Sequence, residues 1–484
     1  MSTQLFTEHL GQRIAIAGLV IYVAFAPHSV AASAIGVAVA GIGWIWRSLA
    51  TRSLGLSRSK FDLIIVLSLL WTSASSVLSE EPDISIAKLT SVWTVFLFYV
   101  TRAVVTRAAA LSLVGVLILS GCVGAAYSAF DLLRGRGVVI ESISARSPFR
   151  QIQLFPGDTV WRVDRQRVYS VVELDEVLRS LPVNTPLTVS IISQGEHVER
   201  PGFVLTPAQQ QEPSPSGISG SKSNHRFRAS GWTRHYQTFA EVLQMIAQLA
   251  LGLALAHFRN HGFNRYFRIV IAAAAVLTMG LVFTSMRTVI VAFVIGACVI
   301  AWRSLRGVYK VAFTFAVFFV LAFGAVVVSQ TRADDALSLS DPSSSLRLQV
   351  ARVGLSRIPL HPVFGHGMDA MKRHWNEWGF PGKDMLHLHS TPLQLAFDRG
   401  LPMLLLWLWL MIAFLRQIAA DERTASDLSD TNTYGILLGG LGALTGFIAS
   451  SMVNYNYGDS EAVMLFWFLL GVCVTCGRLV KSAP

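Results

Sequence analysis

The side chains best suited to chemistry crowd into residues 345–400, SLRLQVARVGLSRIPLHPVFGHGMDAMKRHWNEWGFPGKDMLHLHSTPLQLAFDRG, between two long apolar runs. His361, His366, His374, His387 and His389 lie there with Arg347, Arg352, Arg357, Lys372, Arg373 and Arg399. Imidazoles move protons near neutral pH and guanidinium groups bind phosphate. The stretch therefore reads as an active-site loop, and the elements that must position it come next.

Of 484 residues, 52% are hydrophobic and 14% charged, and the mean hydropathy is positive. This excludes an ordinary soluble globule and indicates an all-α polytopic membrane protein. A net charge of +11 would point to nucleic acid in a soluble chain, but here the basic residues form short clusters between apolar runs, as cytoplasmic loops do. No nucleic-acid partner is expected. Cys122, Cys298, Cys473 and Cys476 all fall inside apolar runs, where thiols behave as small hydrophobes rather than a disulfide framework. The first apolar run leads into a second without a small-residue cleavage site, so no cleavable signal is expected.

At about 20 apolar residues per span, roughly twelve membrane helices are expected, with centres from Gly18 to Phe468. With the N-terminus inside, clusters such as Arg47, Arg52, Arg58 and Lys60, or Arg303, Arg306 and Lys310, all fall on the cytoplasmic side. Outer turns such as Glu80, Glu81 and Asp83 are acidic, and both termini are placed in the cytoplasm. The expected plan is helices 1–5 in 1–134, a soluble module in 135–207, a flexible linker in 208–230, helices 6–9 in 231–329, the histidine-rich loop in 330–400 and helices 10–12 in 401–484.

In the module, GVVIESI and TVWRV have the β-branched alternation of strands, and VVELDEVLRSL has helical spacing. The Pro, Ser, Gly and Gln run from Ala208 to Asn224 reads as a tether. GVVIESISARSPFRQIQLFPGDTVWRVDRQRVYSVVELDEVLRSL resembles a bacterial PDZ domain, with Pro156, Gly157 and Asp158 in the turn before a strand. PDZ domains bind extended peptides by strand addition. The resemblance implies a groove for a peptide or protein ligand at Val138, Val139 and Ile140 beside the helix face of Val171 and Leu174, a groove that is otherwise empty or filled by a segment of the same chain.

A PDZ-like module on a membrane body raises the intramembrane metalloproteases, which need H-E-x-x-H. That motif is missing, and His387 and His389 are only two apart, so no metal site or cofactor is expected. No G-x-S-x-G nucleophile turn occurs either. The outer face offers arginine instead. Arg287 in FTSMRTVIVAF, Arg228 and Arg234 in RASGWTRHYQTFAE and Arg347 at the start of the loop all fall where the positive-inside bias would exclude them. Guanidinium groups at a lipid boundary suit a polyprenyl diphosphate. If that diphosphate carries a sugar, fixed Arg groups stabilise the leaving charge while a His takes the acceptor's proton.

Three stretches in order, SLRLQVARVGLSRIP, HPVFGHG and HLHSTPLQLAFDRGLP, resemble the Arg stretch, the P-x-x-G-x-G and the H-x-H-N-x-x-L-Q of the O-antigen ligase and polymerase superfamily of membrane glycosyltransferases. RASGWTRHYQTFAE and TSMRTVIVAF resemble further segments of it. The resemblance implies a GT-C-like body in the bacterial inner membrane with a periplasmic site. It implies an undecaprenyl-diphosphate-linked glycan as donor and a lipid A core, a glycan chain or a protein as acceptor. By the same resemblance His389 would activate the acceptor with His387 beside it, and Arg287 and Arg347 would hold the diphosphate, helped by Arg228 or Arg234. The chain departs from the family at Ser390, where Asn is usual; a hydroxyl cannot replace the amide's NH₂.

Asp398 and Glu377 are alternative bases, or simply solvated or paired carboxylates. Trp375 and Trp378 fit sugar stacking or an interfacial belt, and Gly365 and Gly367 fit a tight turn better than a phosphate cradle. The rival function is a transporter or an envelope-sensing receptor; against a transporter, charge is concentrated outside the spans rather than at mid-membrane.

Overall fold

The computed structural model describes residues 2–193, 196–233, 235–331, 342–382, 387–428 and 430–481. The elements run α1 (Ser2–Phe25), α2 (Val30–Thr51), α3 (Lys60–Leu78), α4 (Pro82–Lys88), α5 (Phe96–Val104), α6 (Arg107–Arg134), β1 (Val138–Ile143), β2 (Thr159–Val163), β3 (Gln166–Arg167), α7 (Val171–Ser180), β4 (Leu187–Ser193), β5 (Glu196–Phe203), α8 (Pro207–Gln210) and β6 (Ile218–Ser223). They continue with α9 (Tyr236–His261), α10 (Arg265–Phe283), α11 (Arg287–Ser304), α12 (Val308–Thr331), α13 (Pro342–Arg357), α14 (Ala370–His374), α15 (Thr391–Asp427), α16 (Thr431–Ser451) and α17 (Ser460–Lys481). Two compact units result: a helical one from Met1–Ala125, Ser230–Gly324 and Leu339–Pro484, and a smaller one from Ala126–Ala229 and Ala325–Ser338.

Among the described residues, eleven helical segments are long and apolar enough to cross a membrane, which supports a multi-pass membrane protein. The expectation of about twelve differs at α1, where Glu8, His9, Gln12 and Arg13 dilute the apolar run. α1 still packs backbone to backbone on α2: a Cβ at Gly18 would stand 2.2 Å from the Ala40 nitrogen. α9 and α16 meet in the same way, a Cβ at Gly252 falling 2.2 Å from the Gly439 nitrogen. Small residues permit such approach, which is what holds helices together where water supplies no drive. α9 is buried along most of its length, and its Gln248 donates to the Phe293 carbonyl of α11 at 3.0 Å, satisfying an amide that lipid could not.

α15 is interrupted at Gly400 (φ 78, ψ 171), two residues before Pro402. The backbone groups freed by the break are taken up elsewhere. Trp71 of α3 donates its indole N–H to the Arg399 carbonyl at 2.9 Å. His366 N–H reaches the Phe397 carbonyl at 2.8 Å, Gly367 N–H the Asp398 carbonyl at 3.0 Å, and Leu401 N–H the Pro362 carbonyl at 2.8 Å. The contact is so close that a Cβ at Gly400 would lie 1.8 Å from the Val363 oxygen, and one at Gly365 2.4 Å from the Asp398 carbonyl carbon. The P-x-x-G-x-G stretch thus serves backbone contact with the broken helix, in keeping with a turn.

The loop has its own small core of Val350, Met371, Trp375, Trp378, Phe380, Leu388 and Phe397. Trp375 stacks on Phe380 with centroids 4.7 Å apart, and Trp378 lies under the Arg357 guanidinium at 4.5 Å. Both indoles are buried. This corrects the expectation of sugar stacking or a membrane belt: the two Trp side chains hold the loop together.

The smaller unit is an antiparallel sheet in the order β5-β4-β2-β1-β6, with β3 paired to β2, around a core that includes Phe149, Val160, Leu174, Leu178, Val189 and Phe203. The segment expected to be a tether supplies β6. Val138 pairs with Ser223, Val139 with Lys222 and Ile140 with Ser221, so the β1 edge expected to receive a peptide is occupied by the chain itself. Leu174 is fully buried in the core and Val171 is half-buried, so Leu174 offers a ligand nothing. β6 is invisible to hydrophobic alternation because GSKS has no apolar residue; it is placed by polar anchors. Asp175 accepts from Ser216 N–H at 2.8 Å and from the Ser214 hydroxyl at 2.9 Å, and Asn224 donates to the Thr159 hydroxyl at 2.9 Å.

Replacing Asp175 by Ala strands the buried Ser216 N–H, a loss of about 1–3 kcal/mol. Hydrogen-exchange mass spectrometry on the full chain should then show faster exchange across 218–223 with β4 and β5 unchanged.

Candidate active site

His387 and His389 stand just before α15, on a stretch held at three points. Leu388 between them is buried against α13, where Gly354 leaves room for it: a Cβ there would lie 2.7 Å from Leu388 Cδ2. The Leu388 N–H donates to the Gln394 side chain at 2.7 Å, and Gln394 donates to Asp398 at 2.8 Å. Thr391, in the first turn of α15, donates its N–H and its hydroxyl to the Asn454 carbonyl, both at 3.1 Å, and its hydroxyl also lies 3.1 Å from Asn456 Oδ1. Asn454 and Asn456 are fully buried in the α16–α17 connection. Asn454 also donates to the Thr288 hydroxyl at 3.1 Å, so the same connection ties the start of α15 to the first turn of α11, where Arg287 begins the helix.

So constrained, His389 takes a left-handed backbone (φ 53), which side chains other than glycine adopt only where surrounding structure enforces it. Its ring lies 4.3 Å from that of His387. Both nitrogens of the His389 ring are shielded from solvent, and neither has a hydrogen-bond partner among the described residues. The His389 backbone N–H donates to Nδ1 of His387 at 3.3 Å, which leaves the His387 proton on Nε2. Burial first, then the Arg347 guanidinium, holds His387 down to about 4. Burial, the neighbouring His387 and then Arg347 hold His389 down to about 3. Two neutral imidazoles therefore stand under the field of one guanidinium, one offering N–H and the other a free lone pair.

His387 opens onto a cavity of about 470 Å³ in the helical unit. Its lining mixes charged and polar residues, among them Lys88, Asp369, Lys372, His387, Asp398, Arg399 and Asp459, with apolar ones such as Leu69, Val92, Val95, Met403 and Trp467. The buried Arg399 has an Nε without a hydrogen-bond partner among the described residues. From the sequence Arg399 and Lys372 stand only among the loop cations, without an assigned role, and Lys88 and Asn454 do not stand out. For Arg399 the available signal was an Arg inside a long apolar helix; for Lys88 and Asn454, distant in sequence, there was none. Asp398, an alternative base, is buried, accepts from Gln394 and also faces this cavity.

Residues 272–408 match the O-antigen ligase family model. That stretch is less than half of the chain, and it contains Arg287, Arg347, His387 and His389. It supports an O-antigen ligase-type membrane enzyme acting on glycan and lipid substrates. No curated protein matches the chain. Of the expected donor-binding residues, the electrostatics join Arg347 to both histidines, and the Asn454 network ties the turn carrying Arg287 to the same place. Arg228 is a buried residue of the smaller unit, and Arg234 lies outside the described residues.

Arg373 and His374 of the loop are engaged by the acidic α3–α4 turn. Arg373 binds Glu81 at 2.7 Å and Asp83 at 2.9 Å. His374 lies 2.6 Å from both Glu377 and Glu81, and those carboxylates, Glu377 first, raise its pKa. Glu377 is thus a partner of His374, and Lys88 meets Asp369 at 3.1 Å.

The lowered histidines set a pH signature. A base of ordinary imidazole pKa gives an acid limb near about 6.5, whereas these rings stay neutral until the pH falls to about 4 or below. In the free-enzyme profile of ligase-type activity (kcat/KM), the acid limb should therefore fall below about pH 5. Arg347→Ala removes a repulsion on the protonated rings and should move the limb upward; an unmoved limb would contradict this electrostatic arrangement.

Proposed function

We propose that this chain transfers a glycan from an undecaprenyl-diphosphate carrier to an acceptor hydroxyl or amine, in the bacterial inner membrane with the histidine-rich loop on the periplasmic side and both termini in the cytoplasm. The observation that carries the reading is the cavity beside His387, lined by both cationic and apolar side chains. A polyprenyl diphosphate glycan combines the matching groups, an apolar chain joined to a compact anion. Arg399 lines this cavity with Lys88 and Lys372, the two lysines paired with Asp369, and Arg347 and Arg287 are the donor-binding pair implied by the family.

In the transfer step the acceptor oxygen or nitrogen bonds to the anomeric carbon as the carbon–oxygen bond to the diphosphate breaks. The diphosphate leaves with that electron pair, and its charge is met by fixed cations, which need no reorganisation at the moment of reaction. The acceptor's proton passes to His389, the ring with an unpartnered lone pair. His387, with its proton on Nε2, donates toward the phosphate side. An incoming diphosphate also offsets Arg347 and so raises the basicity of His389 in the complex, which brings a weak base closer to its working range. Three acceptors share this chemistry: a lipid A core, a growing glycan and a protein side chain. The occupied β1 edge removes the reason to favour a protein.

His389→Ala should reduce transfer by about 10²–10⁴-fold while the protein still inserts and accumulates normally, and cells lacking the protein should accumulate lipid-linked glycan on envelope gels. Wild-type transfer by His389→Ala would remove the catalytic assignment. An unchanged envelope profile in the deletion strain would favour a receptor over an enzyme.

A further inference from the structure

Glu80 lies in the turn between α3 and α4, and His361 and His366 belong to the loop segment seated on the broken turn of α15. One nitrogen or oxygen from each of the three lies within 4.8 Å of the other two. His366 is buried, with 1% of its side chain exposed, and its Nε2 lies 3.1 Å from the Arg357 carbonyl. A carbonyl only accepts, so Nε2 carries a proton, and in the neutral ring Nδ1 presents its lone pair. That lone pair points at Glu80 Oε2, in direct contact, and His361 Nε2 lies 3.5 Å from the same oxygen. In that form two acceptors face each other across a buried contact, with a third nitrogen in reach. A cation between them satisfies all three.

The support around the cluster has the form that metal ligands need. Imidazoles that bind metal donate their other N–H to a carbonyl or carboxylate, which fixes the tautomer and aims the ring; His366 does this through Arg357. Two imidazole nitrogens and one carboxylate oxygen suit zinc, which takes such ligands at about 2.0–2.2 Å. Glu80 and His361 keep 33% and 41% of their side chains exposed, leaving a fourth position open to solvent. The nearby positive charge is Arg357, held over the Trp378 ring.

We propose that Glu80, His361 and His366 form a site for one divalent ion of the zinc class, which bolts the loop to the α3–α4 turn. None of the three lines the cavity beside His387, so the site is structural and independent of the transfer reading. It is also outside the reach of local motif reading, because Glu80 and His366 are 286 positions apart.

The test uses full-length protein in detergent, stripped with a chelator and titrated with zinc. The expected result is one zinc retained per chain after desalting, a higher melting temperature, and with cobalt the visible absorption of a low-coordinate site. His361→Ala and Glu80→Gln, both on the exposed side and leaving His366 in place, should each weaken zinc binding at least about tenfold, while His374→Ala should bind it as wild type does. A protein that takes up no stoichiometric zinc and melts identically with and without it would hold a simple imidazolium–carboxylate pair, and the proposal would fail. Equal zinc binding by wild type, His361→Ala and Glu80→Gln, or loss in His374→Ala, would overturn it as well.

Discussion

Everything at the loop-bearing end of the helical unit depends on how the interruption of α15 is satisfied. A helix broken inside an apolar body exposes backbone groups that hydrocarbon cannot solvate, and each one left alone costs several kcal/mol. Here the carbonyls of Phe397, Asp398 and Arg399 are met by His366, Gly367 and Trp71. The obligation runs both ways. The loop can sit only where its amides find those carbonyls, and the glycines at 365 and 400 let it come that close. The histidines before α15 inherit their position from this contact, reinforced by the buried Asn454 and Asn456.

With the scaffold fixed, charge is distributed unevenly. Arg373 and His374 are answered by Glu81, Asp83 and Glu377, so they hold structure and are spent for other purposes. At the cavity the lysines are answered too, Lys88 and Lys372 both by Asp369. Asp369 shares the polar wall with Lys88 and Lys372, while Arg399 adds a buried guanidinium. Arg399 is thus the buried cation of that wall whose Nε keeps no hydrogen-bond partner among the described residues.

Legibility followed the range of the interactions. Long apolar runs were readable because a membrane helix satisfies its own backbone, so each span is declared by its own residues; α1 was the exception, with polar residues in its first turns. The H-x-H stretch and the Gly-containing stretch before it were readable as a motif, but their reason, contact with a broken helix, was not. Trp375 and Trp378 misled because an aromatic side chain near a membrane fits a belt, a sugar platform and a core equally well until its neighbours are known. β6 was missed because GSKS pairs through its backbone and is anchored by Asp175, some forty positions away. Glu80 was read as a generic acidic turn for the same reason: its partners are in another part of the chain. The depressed basicity of His387 and His389 is a product of burial, which no local pattern encodes.

The strand that closes the β1 edge changes what a partner for the smaller unit would have to overcome. β6 is covalently tethered to the sheet it completes, and a tethered ligand competes at an effective concentration in the millimolar range. A free peptide of ordinary affinity at micromolar levels is outcompeted by the chain itself. The β1 edge is therefore closed to casual strand addition, and the outer strands of the sheet become β6 and β5. β6 makes the unit self-sufficient as a sheet.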